Sequence, residues 1–399
     1  MDYKSTNQTK KIAFVTLDLH SGGSQRAASE LTHFFSEHYQ VYYIVFDGSD
    51  ISYDISAELI NLNYPPSNSK IKKIINTFRR AKGIRKAVKQ NKIDVVFSFT
   101  SIANRALRFS RAKCRKIGGC RGFEDLQNNT GSYHRVIRSG CEMLFNSREM
   151  EEFYINRYPR DKSKCITIEN LIHFDTIEQK SKDELEDKYR DFFDTHKVVT
   201  TVGILSRHKG HWDLLKSFEL LREKIPDAGL CIIGHDGTYE KELIDMAKRN
   251  KYADDIILCG YQQNPFKFIA KSSVYALSSI SEGLPNALLE AMVCHTPAVA
   301  TSCATGPCEI MFDDYKRPYP TDEYIVADNG ILTPPFDGII DFDYSNKSKS
   351  HQIYADALFR AITDRELVDK IVENGYNRAK KNDQSAIENN YIGLIVGKN

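Results

Sequence analysis

Apolar residues along this chain gather in short runs, each followed by a turn rich in glycine or serine and then by a longer segment of helical period. The first series is Ile12–Leu17, Val41–Phe46, Ile93–Phe99, a run ending at Lys116–Gly122, Cys141–Ser147 and Cys165–Ile168. After the highly charged stretch 175–197, a second series begins: Val198–Leu205, Leu230–Gly234, Ile256–Cys259, Val274–Leu277, Ala298–Thr301 and Asn329–Leu332. Near-continuous apolar runs of this length, without strict alternation, mark strands buried on both faces, as in parallel sheets covered by helices. Helical segments follow many of them: 25–37, 70–92, 238–250, 286–293, and near the end 352–363, 366–381 and 386–396. The pattern predicts an α/β protein with two Rossmann-like doubly wound sheets. A length of 399 residues agrees with two domains of ~100–200 residues each.

Composition narrows the class. With 41% hydrophobic and 27% charged residues the chain reads as a soluble globular protein. It holds no apolar run of about 18 residues, as a membrane-spanning helix requires. The polar segment 1–11 lacks the apolar core of a secretory signal, and nine scattered cysteines without a Cys-x-x-Cys pair predict reduced thiols in a cytoplasm. A net charge of +2 gives little global attraction to polyanions, but the charge is unevenly spread. Between Lys70 and Lys92 stand ten lysines and arginines and no acid, with Ile71, Ile74, Ile75, Phe78, Ala81 and Val88 at helical spacing. Two readings stay open for this basic amphipathic helix. It either packs its apolar stripe on the sheet, with a break near Gly83, or forms a patch that rests on anionic lipid headgroups or holds a lipid-diphosphate acceptor. Aromatic residues are not interleaved with these charges and no nucleic-acid-binding module is recognisable, so nucleic acid is not expected as a partner.

The candidate chemistry centres on Ser281–Met292. Glu282 and Glu290 stand eight positions apart, and the seven residues between them begin with the turn Gly283-Leu284-Pro285. Pro285 suits a first helical turn, so the segment reads as strand, loop with Glu282, then helix with Glu290. Free N–H groups and the positive dipole end at a helix start attract an anion, most naturally a phosphate. Carboxylates on either side of a phosphate suit a nucleotide-sugar, which offers a ribose diol, a diphosphate and a hexose in line. As plain structure, the two would be a strand-end carboxylate and an exposed helix carboxylate. Gly22 and Gly23, after the first strand, open a tight turn that lets a phosphate approach the backbone, or simply turns the chain. A Gly-x-Gly-x-x-Gly fingerprint is missing, which argues against a nicotinamide dehydrogenase.

These motifs together resemble the retaining glycosyltransferases of family 4, with the GT-B fold. Ser281–Met292 is similar to that family's Glu-x7-Glu signature, Gly22-Gly23-Ser24-Gln25-Arg26 to its Gly-Gly-x-x-Arg loop, Val202-Gly203 with Lys209-Gly210 to its donor-phosphate loop, and Gly306-Pro307-Cys308-Glu309-Ile310 to its Gly-Pro-x-Glu-Ile segment. They fall in family order between residue 11 and about 335. The resemblance implies an acceptor-binding domain over 1–175, a connection over 176–196, a nucleotide-sugar domain over 197–380, and a last helix, 381–399, crossing back to the first domain. It further implies transfer of a hexose or N-acetylhexosamine, with a UDP-sugar as the default donor, to a glycan or lipid-diphosphate-linked acceptor in bacterial surface polysaccharide synthesis. No cofactor or metal is expected, and the enzyme would be cytoplasmic, peripheral on the inner membrane face.

The roles it implies are specific. Lys209, helped by Arg207, Gly23 and the backbone at Leu284 and Pro285, would neutralise the leaving diphosphate, Glu282 would hold the transferred sugar, and Glu290 the ribose. Gly22, Gly203, Tyr261, Gly283 and Asn286 would complete the donor side. The family's first phosphate arginine is replaced here by Ile204, which leaves Arg207 to reach the phosphates. Where many relatives carry a histidine this chain has Arg121 and Gly122, with Glu124 beyond, so Arg121 and Glu124 are the acceptor-side candidates. His208 and His211 are expected to face solvent, and Trp212 to pack against the sheet. Asp341-Phe342-Asp343 is read as loop, not as a metal site. Two other functions remain open: a GT-B-type nucleotide-sugar epimerase and a non-catalytic glycosyltransferase partner.

Overall fold

The computed structural model describes residues 10–20, 23–316 and 319–396. The chain divides into two compact units, one formed by the chain up to Asn170 together with the segment from Glu388 onward, the other by Leu171–Ile387. The segment 176–196 therefore belongs to the second unit, where it forms the helices Phe174–Ser181 and Asp187–Thr195.

The first unit is built on seven strands, β1 (Lys11–Thr16), β2 (Gln40–Val45), β3 (Glu58–Asn61), β4 (Val95–Ser98), β5 (Arg115–Cys120), β6 (Glu142–Phe145) and β7 (Cys165–Thr167). Their order is β3-β2-β1-β4-β5-β6-β7 and every pair is parallel. The second unit repeats the plan with β8 (Lys197–Val202), β9 (Ala228–Ile233), β10 (Ile256–Gly260), β11 (Val274–Leu277), β12 (Ala298–Thr301), β13 (Ile325–Val326) and β14 (Ile331–Thr333). Its order is β10-β9-β8-β11-β12-β14-β13, parallel except for the antiparallel edge pair β13–β14. Both are doubly wound sheets, the architecture of the GT-B fold. In each, the chain steps outward from the first strand and then returns to its other side. The reversals fall between β1 and β4 and between β8 and β11. At such a reversal the two flanking helices lie on opposite faces, and a crevice opens at the carboxyl ends of the strands.

The strand cores are as apolar as the sequence indicated. Ile12, Phe14, Tyr43 and Phe97 in the first sheet, and Val199, Tyr275 and Val299 in the second, are buried. Trp212 packs as expected, fully buried edge-on to Tyr239 and Phe342.

The basic helix departs from expectation. It runs unbroken over Lys70–Asn91, started by the Ser69 side chain, which accepts from Lys72 N, and stopped by Lys92 in the left-handed region. Gly83 does not break it. It lets Leu62 come close, since a Cβ there would stand 2.6 Å from Leu62 Cδ1. The apolar stripe is split: Ala81, Ile84, Ala87 and Val88 are buried, whereas Ile71, Ile74, Ile75 and Phe78 are 44–71% exposed. The expectation that the whole stripe packs on the sheet is therefore corrected. Among the described residues no helix is long and apolar enough to cross a membrane.

The last helix, Gln384–Val396, carries the chain into the first unit. There the buried Tyr391 ring stands edge-on to Phe35 at 5.9 Å and to Phe97 at 6.2 Å. The terminal carbonyls of this helix are met by cations: Arg115 donates to Leu394 O and Lys10 Nζ to Ile395 O at 2.8 Å. These bonds satisfy acceptors that a helix end otherwise leaves open. Replacing a buried aromatic by alanine costs about 3–5 kcal/mol. Tyr391→Ala should therefore lower the stability of the first unit by about 3 kcal/mol or more in urea unfolding followed by near-ultraviolet circular dichroism.

Candidate functional site

The reversal in the second sheet brings two loops together, one after β8 and one after β11. The β8 loop makes a single tight turn at Arg207–Lys209 and then enters the helix His211–Arg222 through Gly210. Gly210 has φ +61°, and a Cβ there would lie 2.3 Å from Ser278 O, so only glycine lets the two loops meet this closely. Backbone bonds lock the contact: Ile280 N donates to His208 O at 2.8 Å, and Ser278 Oγ donates to Lys209 O at 2.9 Å.

Across this junction Lys209 Nζ donates to Glu282 Oε1 at 2.7 Å, with the two side chains only 17% and 11% exposed. Ser279 Oγ donates to the same oxygen at 2.6 Å. Oε2 takes no hydrogen bond from a described residue. The Glu282 backbone is fixed as well, its carbonyl accepting from Thr305 Oγ1 at 2.7 Å. Gly203 faces the Lys209 stem, whose Cε would stand 3.1 Å from an added Cβ.

Helix Asn286–Val293 begins directly after Pro285 and carries Glu290 on its buried side. Gly283 and Leu284 form the turn between. Gly306, at φ +94°, closes over this turn, since a Cβ there would lie 2.6 Å from Gly283 O and 2.7 Å from Pro285 Cδ. Tyr275, on β11, is fully buried and lies within the field of both carboxylates. Burial first, then the charges of Glu290 and Glu282, push its hydroxyl well above the usual tyrosine range. The structure thus gathers Lys209, Glu282, Gly203, Gly283, Leu284, Pro285, Asn286 and Glu290 onto two adjoining loops and one helix.

The other expected residues are placed differently. Arg207 lies in the β8 loop but turns to Gly338 O, to which Nη2 donates at 3.1 Å. Ile204, in the position of the absent arginine, is half exposed. Tyr261 follows β10 and stands exposed with its ring edge-on to His235. Gly23, Arg121 and Glu124 belong to the first unit. Gly23 opens helix Gly23–Ser36 with open space around its Cα, while Gly22 lies outside the described residues. Arg121 follows β5, donates to Asn170 Oδ1 and lies 5.3 Å from the Phe99 ring centroid; Glu124 is in the first turn of helix Phe123–Arg138. Asp341 and Asp343 lie in a loop, as expected, and Asp341 accepts from Lys216 Nζ at 2.8 Å.

His211 is a correction. It is buried, not solvent-facing, and its Nδ1 has no hydrogen-bond partner. Burial, together with the nearby Lys209 charge, pushes its pKa down to about 3. Sequence patterns also passed over Tyr275, Ser278, Ser279 and Thr305. Single hydroxyls at strand ends carry no signature; the cue available was that Ser278-Ser279 ends a strand immediately before the Glu282 turn.

A lysine–glutamate pair thus lies over the reversal of a doubly wound sheet, with a second glutamate on the helix that follows. Residues 182–335 match the family "Glycosyl transferases group 1". An uncharacterized glycosyltransferase of Methanocaldococcus jannaschii is 31% identical over 258 residues, 64% of this chain and 63% of that protein, so the alignment spans somewhat less than two thirds of that relative. A Campylobacter jejuni N-acetylgalactosaminyltransferase, named for an acceptor linked to diphospho-undecaprenol, is 25% identical over 86% of this chain and 94% of its own. Among solved structures, Anabaena HepE in complex with UDP and glucose superposes with a TM-score of 0.73 at 14% identity, covering 97% of this chain and all of that one. The fold is therefore that of GT-B glycosyltransferase structures, and residues 182–335 carry the match to the glycosyltransferase family model.

The buried neutral His211 has a consequence for stability. Unfolded, it binds a proton near the ordinary value of 6.5; folded, it does so only near pH 3. Between these values the unfolded state holds more protons, so stability falls as pH drops below 6.5. At ~1.4 kcal/mol per pH unit the loss reaches about 2 kcal/mol by pH 5. The difference in urea midpoint between pH 7.5 and pH 5 should therefore shrink in His211→Gln relative to the parent chain.

Proposed function

We propose that the chain is an anomer-retaining, metal-independent glycosyltransferase. It would move a hexose or N-acetylhexosamine from a nucleoside diphosphate, UDP being favoured, to a lipid-diphosphate-linked glycan. The observation that carries this is the Lys209–Glu282 pair over the β8–β11 reversal. A lysine with two remaining N–H donors, beside the helix start after Pro285, is placed to neutralise a leaving diphosphate, where charge grows as the glycosidic bond breaks. Glu282 holds the lysine with Oε1 and keeps Oε2 for a hydroxyl of the transferred sugar; its charge favours an oxocarbenium-like centre. The two carboxylates are binding groups along one ligand and not a hydrolase acid–base pair. Glu290 accepts from the ribose diol. Arg207 would have to leave Gly338 to reach a phosphate, so it is secondary to Lys209. Arg121 and Glu124 are the acceptor-side candidates on the first unit. The uridine nucleotide in the HepE complex and the diphospho-undecaprenol acceptor named for the Campylobacter relative favour the same chemistry here.

The helix Lys70–Asn91 supports attachment to the anionic face of a membrane. Ile71, Ile74, Ile75 and Phe78 are exposed, and the Phe78 ring lies tilted, its centroid 5.2 Å from that of the exposed Phe109 of helix Ser101–Ser110. Lys70, Lys72, Lys73, Arg79 and Lys82 accompany them. Apolar side chains amid unopposed lysines are the arrangement of an interfacial helix, in which hydrocarbon insertion and headgroup attraction act together.

Two measurements check these readings. In a UDP-release assay with a donor panel and EDTA present, the parent chain should turn over in the presence of acceptor and give an α-linked product by proton NMR. Lys209→Met should lose about 10²–10³-fold in kcat. Glu290→Ala should weaken UDP-sugar binding about 10-fold or more, since a hydrogen bond to a charged group contributes ~1.5–3 kcal/mol. Isomerised donor in the absence of acceptor would instead favour the epimerase. Separately, the chain should co-sediment with vesicles containing phosphatidylglycerol but not with pure phosphatidylcholine, and Ile71→Ser/Ile74→Ser/Phe78→Ser should abolish this without changing UDP-sugar affinity.

A further inference from the structure

Beside the Glu282 loop, within the second unit, lies an open groove of about 700 Å³. Its floor is formed by Ile280 and by Ser302, Cys303 and Ala304 after β12; its walls are Pro334 and Pro335 after β14, Tyr319–Thr321, and Ser350. Among the described residues no charged side chain lines it. The lining instead alternates flat apolar surfaces, a tyrosine ring and three prolines, with hydroxyls on Ser302, Thr321 and Ser350. The Ser302 hydroxyl is buried without a hydrogen-bond partner, a state that costs free energy unless a ligand completes it.

We propose that this groove holds a neutral pyranose ring of the acceptor glycan. The inference rests on the glycosyltransferase reading above and adds to it a substrate subsite on the second unit. Three features argue for this occupant. Among the described residues the lining offers no cation to a diphosphate, so it suits a neutral group better than the phosphate portion of a nucleotide. Flat apolar faces with a few hydroxyls match a sugar ring, which has C–H faces and an equatorial rim of hydroxyls, and the volume falls in the range of small-molecule sites. The third feature is position. Strand ends run across the sheet in the order β8, β11, β12, β14. Lys209 after β8 marks the phosphates and Glu282 after β11 the transferred sugar, so the next strand ends lie beyond that sugar, on the side an acceptor must occupy. Glu282 and the groove are also mechanically joined, because Thr305 Oγ1, two residues past Cys303, donates to Glu282 O at 2.7 Å.

The test uses the full chain and two variants, Tyr319→Ala, which removes the stacking ring, and Ser302→Ala, which removes only the unpartnered hydroxyl. If the hydroxyl is merely structural, Ser302→Ala leaves kinetics unchanged, and its melting temperature stays level or rises. The proposal expects each variant to raise the acceptor KM at least 5-fold, with the donor KM and the acceptor-independent release of UDP unchanged. A raised donor KM with unchanged acceptor KM would overturn it, as would no change in either. Should the parent chain release UDP from no donor, the glycosyltransferase reading fails first. The groove is then read by saturation-transfer NMR with a panel of neutral methyl disaccharides of hexose and N-acetylhexosamine. Binding by the parent chain that is lost in Tyr319→Ala supports the saccharide site, and no binding by any member of the panel refutes it.

Discussion

The hydrogen-bonded ion pair between Lys209 and Glu282 is the constraint on which the second unit's chemistry rests. Each side chain comes from a different strand end, and the pair exists only because the doubly wound order places β8 beside β11 although two strands and their helices separate them in sequence. Breaking one partner of a largely buried pair leaves an uncompensated charge, so both loops are held wherever the pair is held. The surrounding details serve that junction. Gly210 lets the loops touch, Ser278 and His208 O lock them, and Ser279 fixes the glutamate's rotamer. On the proposed function the resting pair would be a pre-organised phosphate receptor, with the lysine already positioned and its charge lent to the carboxylate that would hold the sugar.

Around this point the structure separates charge by location. The Lys209–Glu282 pair lies at the reversal, the described lining of the groove after β12 and β14 carries no charge, and helix Lys70–Asn91 of the first unit is rich in lysine and arginine. A near-zero net charge conceals that division. On the proposed function the separation is economical: phosphate, neutral sugar and membrane would each meet a surface of matching character.

Much of this was legible in the sequence where the signal is local. Parallel strands announce themselves as apolar runs, and the Glu282–Glu290 segment combines turn, helix start and carboxylates within twelve residues. What escaped is what depends on distant neighbours. β3 is a four-residue edge strand with exposed positions and so has no apolar run. Helix Phe123–Arg138 is obscured by the Asn128-Asn129 pair and Gly131, and it does kink at Asn129. The apolar stripe of the basic helix is periodic throughout, but only the packing partner decides which half is covered; Leu62 meets the second half, near Gly83, and the first is left exposed. His211 looks solvent-facing beside Lys209 because periodicity cannot tell that its helix is covered on nearly every side. The Lys209–Glu282 contact, 73 residues apart, has no local trace at all.

The central claim is most directly tested by a crystal structure of the chain with a non-hydrolysable UDP-sugar. The account predicts the β-phosphate within hydrogen-bond distance of Lys209 Nζ, the ribose hydroxyls on the Glu290 carboxylate, and the sugar against Glu282 Oε2. A nucleotide bound elsewhere, with Lys209 engaged by Glu282 alone and Glu290 touching only protein, would contradict it.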